Sequence, residues 1–279
     1  MSPGGIPWRG PGDERPDLPL PPGPMPLRRE GNLRKRWRYV GFYDEILMLC
    51  AARAEVGPTG QSFWVLWDRQ QGRELAHTSL RPGSREVFLD GPRLLIDAPG
   101  LHADLRLGGA EPIESICPSG GGWGWTRKRA GVPIAGTVEV PGRRMAVEGF
   151  GVDDESAGYQ ARHTSWRWSA GVGTASDGRP VAWNLVEGIN DPATNSERAI
   201  WIDGTPHEPA PVTFQGLDAV AFGDGSRLDF EAGAERKRDD NFLLIRSTYR
   251  HRFGTFTGAL DGLDLAEGRG VMESHDALW

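Results

Sequence analysis

Three consecutive carboxylates, one imidazole and three indoles fall between residues 151 and 195, and they are the side chains in this chain best suited to chemistry. Asp153, Asp154 and Glu155 read as an acidic loop leading into a strand that carries His163, Trp166 and Trp168. A turn at Asp177-Gly178 then returns the chain through Trp183 and Asn184. A carboxyl lodged against apolar rings loses the hydration of its charged form, so its pKa rises and it can donate a proton near neutral pH. Protonating an alkene or a leaving oxygen creates cationic character, which each aromatic face stabilises by roughly 0.5–2 kcal/mol. Asp154 as acid and His163 as base or water-orienting group would suit hydration, dehydration or cyclisation of an isoprenoid or a fatty acyl chain. Both also have a plainer reading. Consecutive acids are commonly exposed loop charges, and a strand histidine is commonly a hydrogen-bonded structural group.

The elements that must position these groups form a hairpin. With Asp177-Gly178 as a two-residue loop, Ser176 pairs with Arg179, Val172 faces Trp183 and Gly171 faces Asn184. One face then carries Trp166, Trp168, Ala170, Val172, Trp183 and Leu185, and the other carries His163, Ser165, Arg167, Asn184 and Asn190. A one-residue slip inverts that division, and a bulge at Gly171 or Gly173 inverts part of it. Arg162 shares the parity of the tryptophans and is expected to pair with a carboxylate or a ligand. The candidate ligand-binding set is Tyr159, Arg162, Trp166, Trp168, Trp183, Asn184 and Asn195. The tryptophan face is either a hydrophobic core or one wall of a cavity, with Gly171 and Gly173 leaving room beside it.

The rest of the chain reads as β structure. It has 279 residues, 39 glycines, 22 prolines and 11 tryptophans, a composition of aromatic-rich strands joined by tight turns. Short strands over residues 45–52, 62–67, 85–89, 93–96 and 101–107 form a first series. A second series runs through 136–140, 143–147, 162–174, 181–186, 199–202, 212–215, 219–222, 227–230, 241–249 and 255–260. No stretch keeps a helical apolar period over three turns. The two series divide near 120–135, where the glycine-rich run 119–125 would make the crossing. Residues 1–26 hold nine prolines and five glycines. This predicts a disordered arm over residues 1–30, a first β domain over 31–125 and a second over 126–279.

Several function classes are disfavoured. A net charge of −6 argues against a nucleic-acid footprint. The 29 arginines against three lysines (Lys35, Lys128, Lys237) are read as coding bias. Cys50 and Cys117 match no metal spacing and are expected as buried free thiols in a cytoplasmic protein. No membrane span or leader segment is expected, and nothing calls for a metal, nucleotide or other cofactor. The closing run brings Glu273, His275 and Asp276 together in sequence. On an extended chain these side chains would diverge, so a terminal strand ending with a buried Trp279 is the expected reading.

The segments RWRYVGFYDE (36–45), WTRKRAGVPIAGTVEV (125–140), DESAGYQARHTSWRWSAGVG (154–173), DGRPVAWNLVEG (177–188), NFLLIRSTYRHRFGTFTG (241–258) and GVMESHDALW (270–279) carry a resemblance. So does the run from Asn195 through AIWIDG (199–204). The chain is similar to the family called domain of unknown function 2804, which carries no established activity. That family is in turn distantly similar to paired lipocalin-like proteins that include carotenoid hydratase and AttH-type proteins. The resemblance implies an all-β fold of two lipocalin-like (calycin-like) antiparallel barrels or half-barrels packed together, with a ligand site between or within them. In the hydratase-type relatives an aspartate, a histidine and aromatic residues belong to the site. The acidic loop with His163-Thr164-Ser165-Trp166 is the matching stretch, although Arg167 stands where those relatives have glycine. The sequence therefore supports a protein that binds a hydrophobic small molecule. A cofactor-independent hydratase or cyclase using Asp154 and His163 is the alternative, and an interaction module using the proline-rich arm is the third reading.

Overall fold

Strict alternation builds the strands. Leu101–Leu107 buries Leu101, Ala103, Leu105 and Leu107 while His102 and Arg106 face solvent, the period-two pattern of a strand with one packed face. The computed structural model describes residues 4–81, 83–242 and 245–278. Among these residues, eleven strands form one antiparallel sheet and nine form a second. The central path of the first sheet runs Arg73–Ser79, Thr59–Asp68, Leu47–Val56, Lys35–Tyr43, Arg143–Gly158, Gly122–Val140, Leu101–Leu107, Arg93–Ala98 and Val87–Asp90. The second runs Thr205–His207, Ala199–Ile202, Pro180–Glu187, His163–Ala175, Leu263–Leu278, Ile245–Leu260, Arg227–Phe242, Ala219–Ala221 and Thr213–Gln215. The all-β, two-part architecture is as expected from the sequence.

The division between the two parts is different. Gly122–Val140 and Arg143–Gly158 pair with each other inside the first sheet, so the chain crosses to the second sheet between Gly158 and His163 and not near residue 125. The glycine-rich run is the start of a strand, entered through a turn at Gly120-Gly121. The acidic residues 153–155 are likewise strand, not loop, because they pair with Tyr39, Val40 and Arg38 in the centre of the sheet. The run expected as one strand over 241–249 is split between two long strands whose ends pair Phe242 with Ile245. Trp279 lies outside the described residues.

Each sheet has its own core. Val40, Phe42, Leu49, Trp64, Leu105 and Ile134 pack within the first, and Trp183, Leu185, Ile200, Phe230, Phe256 and Met272 within the second. A third cluster joins the sheets through their other faces: Tyr39, Met48, Cys50 and Val65 from the first meet Trp168, Ala170, Phe253 and Val271 from the second. Both cysteines are buried free thiols, as the sequence indicates. The expected disordered arm is a correction. Its described part packs Leu18, Leu20 and Met25 against Ile116, Trp123 and Trp125. Trp8 pairs with Ile116, and Arg15 forms a two-pronged bond to Glu114 at 2.6 and 2.7 Å. Proline-rich chain cannot build helix or ladder of its own, but its apolar side chains find a partner surface.

The 175–179 hairpin corrects the register. Gly178 lies at φ 92°, and Ala175 donates its N–H to the Arg179 carbonyl, so the loop has three residues and not two. That is the other common use of a glycine in the left-handed region of a hairpin. Gly171 therefore faces Trp183 and Ala170 faces Asn184. Trp168 and Trp183 stand on opposite faces: Trp168 points to the other sheet, and Trp183 points into its own core. A Cβ on Gly171 would collide with the Trp183 ring. The substitution Gly171→Ala is expected to cost about 1–3 kcal/mol by overpacking. Chemical denaturation checks this, and an unchanged midpoint would contradict the register.

Candidate functional site

Two rows of side chains face each other between the sheets. Strand pairing aligns Lys128, Asp154, Tyr39, Ala52, Phe63 and Thr78 across six strands of the first sheet. In the second sheet it aligns Arg238, Tyr249, His275 and Trp166, with Arg236, His251, Glu273 and Trp168 one step along. All of these except His251 line a cavity of about 140 Å³ whose walls are mostly apolar. Trp37 stacks on Trp166 with ring centres 6.3 Å apart and planes 6° apart, and Tyr39 meets Trp168 edge-on at 5.2 Å. The cavity thus lies between the two parts, roofed by aromatic pairs that join them.

Its ionisable groups are buried and mutually dependent. Lys128 Nζ lies 2.7 Å from Asp154 Oδ2 and 3.4 Å from Glu197 Oε1. Asn190 donates to the other Glu197 oxygen at 2.9 Å. Burial raises the pKa of both carboxyls, and Lys128 opposes it. The two acids hold the Lys128 ammonium above its ordinary value in spite of its own burial. Asn190 Oδ1 and the whole side-chain amide of Gln160, both on the cavity wall, are buried with no hydrogen-bond partner among the described residues. Such groups suit the polar end of a ligand or a trapped water.

Glu273 is the group best placed for proton transfer. It accepts from Trp166 Nε1 at 3.0 Å and from the Tyr249 hydroxyl at 2.9 Å. Burial outweighs these donors and pushes its pKa up to about 7. His275 sits against the Trp166 ring at 4.5 Å, and its Nε2 lies 2.8 Å from Ser247 Oγ. Burial pulls its pKa down to about 4, leaving a neutral imidazole at physiological pH. A carboxyl near its midpoint, a neutral imidazole and an aromatic wall can together move a proton on and off carbon.

The residues singled out in the sequence divide into two groups. Asp154, Trp166 and Trp168 line the cavity. Asn184 stands just behind it, accepting from Trp168 Nε1 at 2.8 Å and donating to the Glu197 carbonyl at 2.8 Å. The others lie elsewhere. His163 is 60% exposed and pairs with Asp276 at 3.0 Å, so the expected Asp154–His163 couple does not form. Tyr159 is buried beneath the arm, with its hydroxyl donating to the Pro26 carbonyl at 2.7 Å. Arg162 is exposed and outside the cavity wall. Trp183 donates to Ser169 Oγ at 3.0 Å inside the second core. Asn195 occupies a loop at φ 62° and donates to the Pro7 carbonyl at 3.2 Å.

Glu273, His275, Tyr249, Lys128 and Glu197 were not anticipated as site residues. For Glu273 and His275 the signal was present: residues two apart on a strand share a face. The third member of that run, Asp276, points the other way, to His163. No group of three His, Cys, Asp or Glu side chains arranged to hold a metal occurs among the described residues.

A family model described as a domain of unknown function (DUF2804) matches residues 82–279. Comparison with curated proteins gives no match. In three dimensions the chain is similar to an AttH-type protein of Nitrosomonas europaea, with 12% identity, a TM-score of 0.53 and coverage of 91% of this chain and 97% of that one. It is also similar to kievitone hydratase from Nectria haematococca, with 10% identity, a TM-score of 0.55 and coverage of 86% and 88%. At these identities the likeness is one of fold.

Burial of Glu273 has a consequence for stability. Its carboxyl holds a proton to about pH 7 when folded, against about 4.5 when unfolded. Between those values the folded state binds the extra proton, so its contribution is fully present below about 4.5 and is lost as pH rises to about 7. The wild-type protein is therefore expected to lose about 3 kcal/mol relative to Glu273→Gln over that interval. Denaturant titrations of both proteins across pH check this. A pH-independent difference would mean that Glu273 is not desolvated.

Proposed function

The chain belongs to the DUF2804 family, and on that premise we propose that it is a cofactor-independent lyase that adds water to, or removes it from, an apolar unsaturated small molecule held between the two sheets. The observation that carries the reading is Glu273, a carboxyl with a pKa pushed up to about 7 on the wall of an aromatic cavity. The name of the similarly folded kievitone hydratase belongs to this class of reaction.

In the hydration direction, neutral Glu273 gives its proton to one carbon of a C=C bond. The electron pair of that bond forms the new C–H bond and leaves a cation on the neighbouring carbon. The faces of Trp166, Trp168 and Trp37 stabilise that charge, each by roughly 0.5–2 kcal/mol. A water held by His275 supplies the oxygen that closes the C–O bond. His275 takes the released proton, which returns to Glu273 and restores the starting state. Dehydration is the reverse. The Lys128, Asp154 and Glu197 cluster fixes the polar end of the cavity and sets the field around Glu273, since Asp154 raises and Lys128 lowers its pKa.

A second reading, a carrier that binds the same class of molecule without transforming it, is favoured by one observation. Both Glu273 oxygens already accept hydrogen bonds from Trp166 and Tyr249. One experiment separates the two. Ligand released from protein purified from its own host, identified by native mass spectrometry, is incubated with fresh protein in H2(18)O and in D2O. A lyase gains or loses one labelled water and places deuterium on carbon. Its rate should be flat between about pH 4 and about pH 7 and should fall above that as Glu273 ionises. Glu273→Gln should lower turnover roughly 10²–10⁴-fold with little change in ligand affinity. Ligand returned unlabelled by the wild-type protein would leave the carrier reading.

A further inference from the structure

The first sheet carries a second concavity, independent of the cavity between the sheets. The even-numbered side chains of Lys35–Tyr43 point into that sheet's own core, where Val40 and Phe42 are fully buried. The same face ends in Arg36 and Arg38. On the neighbouring strand Leu47, Leu49 and Ala51 belong to the core and Arg53 and Glu55 continue the face. The result is an open mouth of about 630 Å³ lined by five arginines, Arg36, Arg38, Arg53, Arg127 and Arg129, against three acids, Glu55, Glu155 and Asp90, the last in the roofing turn 89–92 and acting on Arg38. Arg38 fastens that roof by donating to the Gly91 carbonyl at 2.8 Å.

Strand pairing sets the charges side by side. One row reads Arg53, Arg38, Glu155 and Arg127 across four strands, and the next reads Ala51, Val40, Asp153 and Arg129. Asp153 is consumed by Arg38 at 2.8 Å and Arg129 at 2.5 Å, and Glu155 by Arg127 at 2.8 Å. Glu55 turns to Arg34 at 3.4 Å. Arg36 and Arg53 are then left without a hydrogen-bonding or ion-pairing partner among the described residues. Arg53 also stands directly opposite Arg38, a like-charge cross-strand pair that destabilises a sheet unless an anion lies over it. Arg129 Nε is buried and unpartnered as well.

We propose that this mouth is a binding site for the oxyanion, carboxylate or phosphate, of a small organic ligand whose apolar body rests on Leu89, Pro92 and Ala157. Guanidinium forks match both oxyanions in two-pronged geometry. The packed core below, with Val40 and Ala51 fully buried, stops such a ligand at the rim.

The test is a titration of the full chain at constant ionic strength with benzoate, with phenyl phosphate and with chloride, read by calorimetry and by melting temperature. Saturable binding of benzoate or phenyl phosphate with a rise in melting temperature, weakened at least about tenfold by Arg53→Gln and Arg36→Gln and unaffected by Arg179→Gln, supports the site. A tenfold change is well outside measurement scatter. Tighter benzoate would identify an organic acid as the ligand class, and tighter phenyl phosphate a phosphorylated molecule. Two results overturn the proposal: effects equal to those of chloride, or equal affinity in wild type and in the folded Arg36→Gln/Arg53→Gln protein.

Discussion

Lys128, Asp154 and Glu197 must stay together, because none of the three is tolerable alone where it lies. All three are almost completely buried, and an uncompensated ion at such a depth costs several kcal/mol. Lys128 and Asp154 come from adjacent strands of the first sheet, whereas Glu197 sits in the loop that precedes the Ala199–Ile202 strand of the second. The pairing therefore fixes how the two sheets meet. One ammonium cannot balance two carboxylates, and Glu273 adds a third acid within their field. Burial first, and then the like charges sharing one dry space, move the pKa values of the acids upward together. The cavity is in consequence a place where a proton is held near neutral pH and can be exchanged.

The second constraint is that the central strands are buried on both faces. Each must satisfy its own core on one side and the other sheet on the opposite side. Arg143–Gly158 reads Asp153, Glu155 and Ala157 toward the mouth of the first core and Asp154 toward the inter-sheet cavity. Lys35–Tyr43 does the same with its arginines on one side and Lys35, Trp37 and Tyr39 on the other. One residue step therefore separates two chemically different sites. Charged runs in such strands are two interleaved sets, not solvated rims.

This explains what was legible in the sequence and what was not. Strand character, two-part organisation and the gathering of Asp154, Trp166 and Trp168 around one cavity followed from alternation, turn residues and family resemblance. The hairpin register did not, because an Asp-Gly pair with glycine at positive φ serves both a two-residue and a three-residue loop. One residue of error sent Trp183 to the wrong face and Asn184 with it. The place of His163 is not legible for a different reason: local sequence does not reveal that Asp276, 113 positions away, meets it at the surface. Glu273 and His275 are legible by spacing, since residues two apart on a strand share a face; the expected divergence of the three side chains holds only for Asp276, which the strand turns to the opposite face.

The proline-rich arm shows how a segment with no secondary structure of its own can govern a buried site. Arg9 Nη1 donates to the Ser196 and Arg198 carbonyls at 2.7 Å each, so it grips the backbone on both sides of Glu197. Glu208 accepts from the Asn195 and Ser196 amides at 3.1 and 2.7 Å and closes the same loop from the other side. Arg198, itself buried, donates to the Pro192 carbonyl at 2.8 Å. A loop carrying a buried carboxylate would otherwise be free to swing that charge toward water, which is where solvation would draw it. Held at both flanks, Glu197 keeps its oxygen on Lys128, Lys128 keeps Asp154, and the field acting on Glu273 is set by the fold before any ligand arrives.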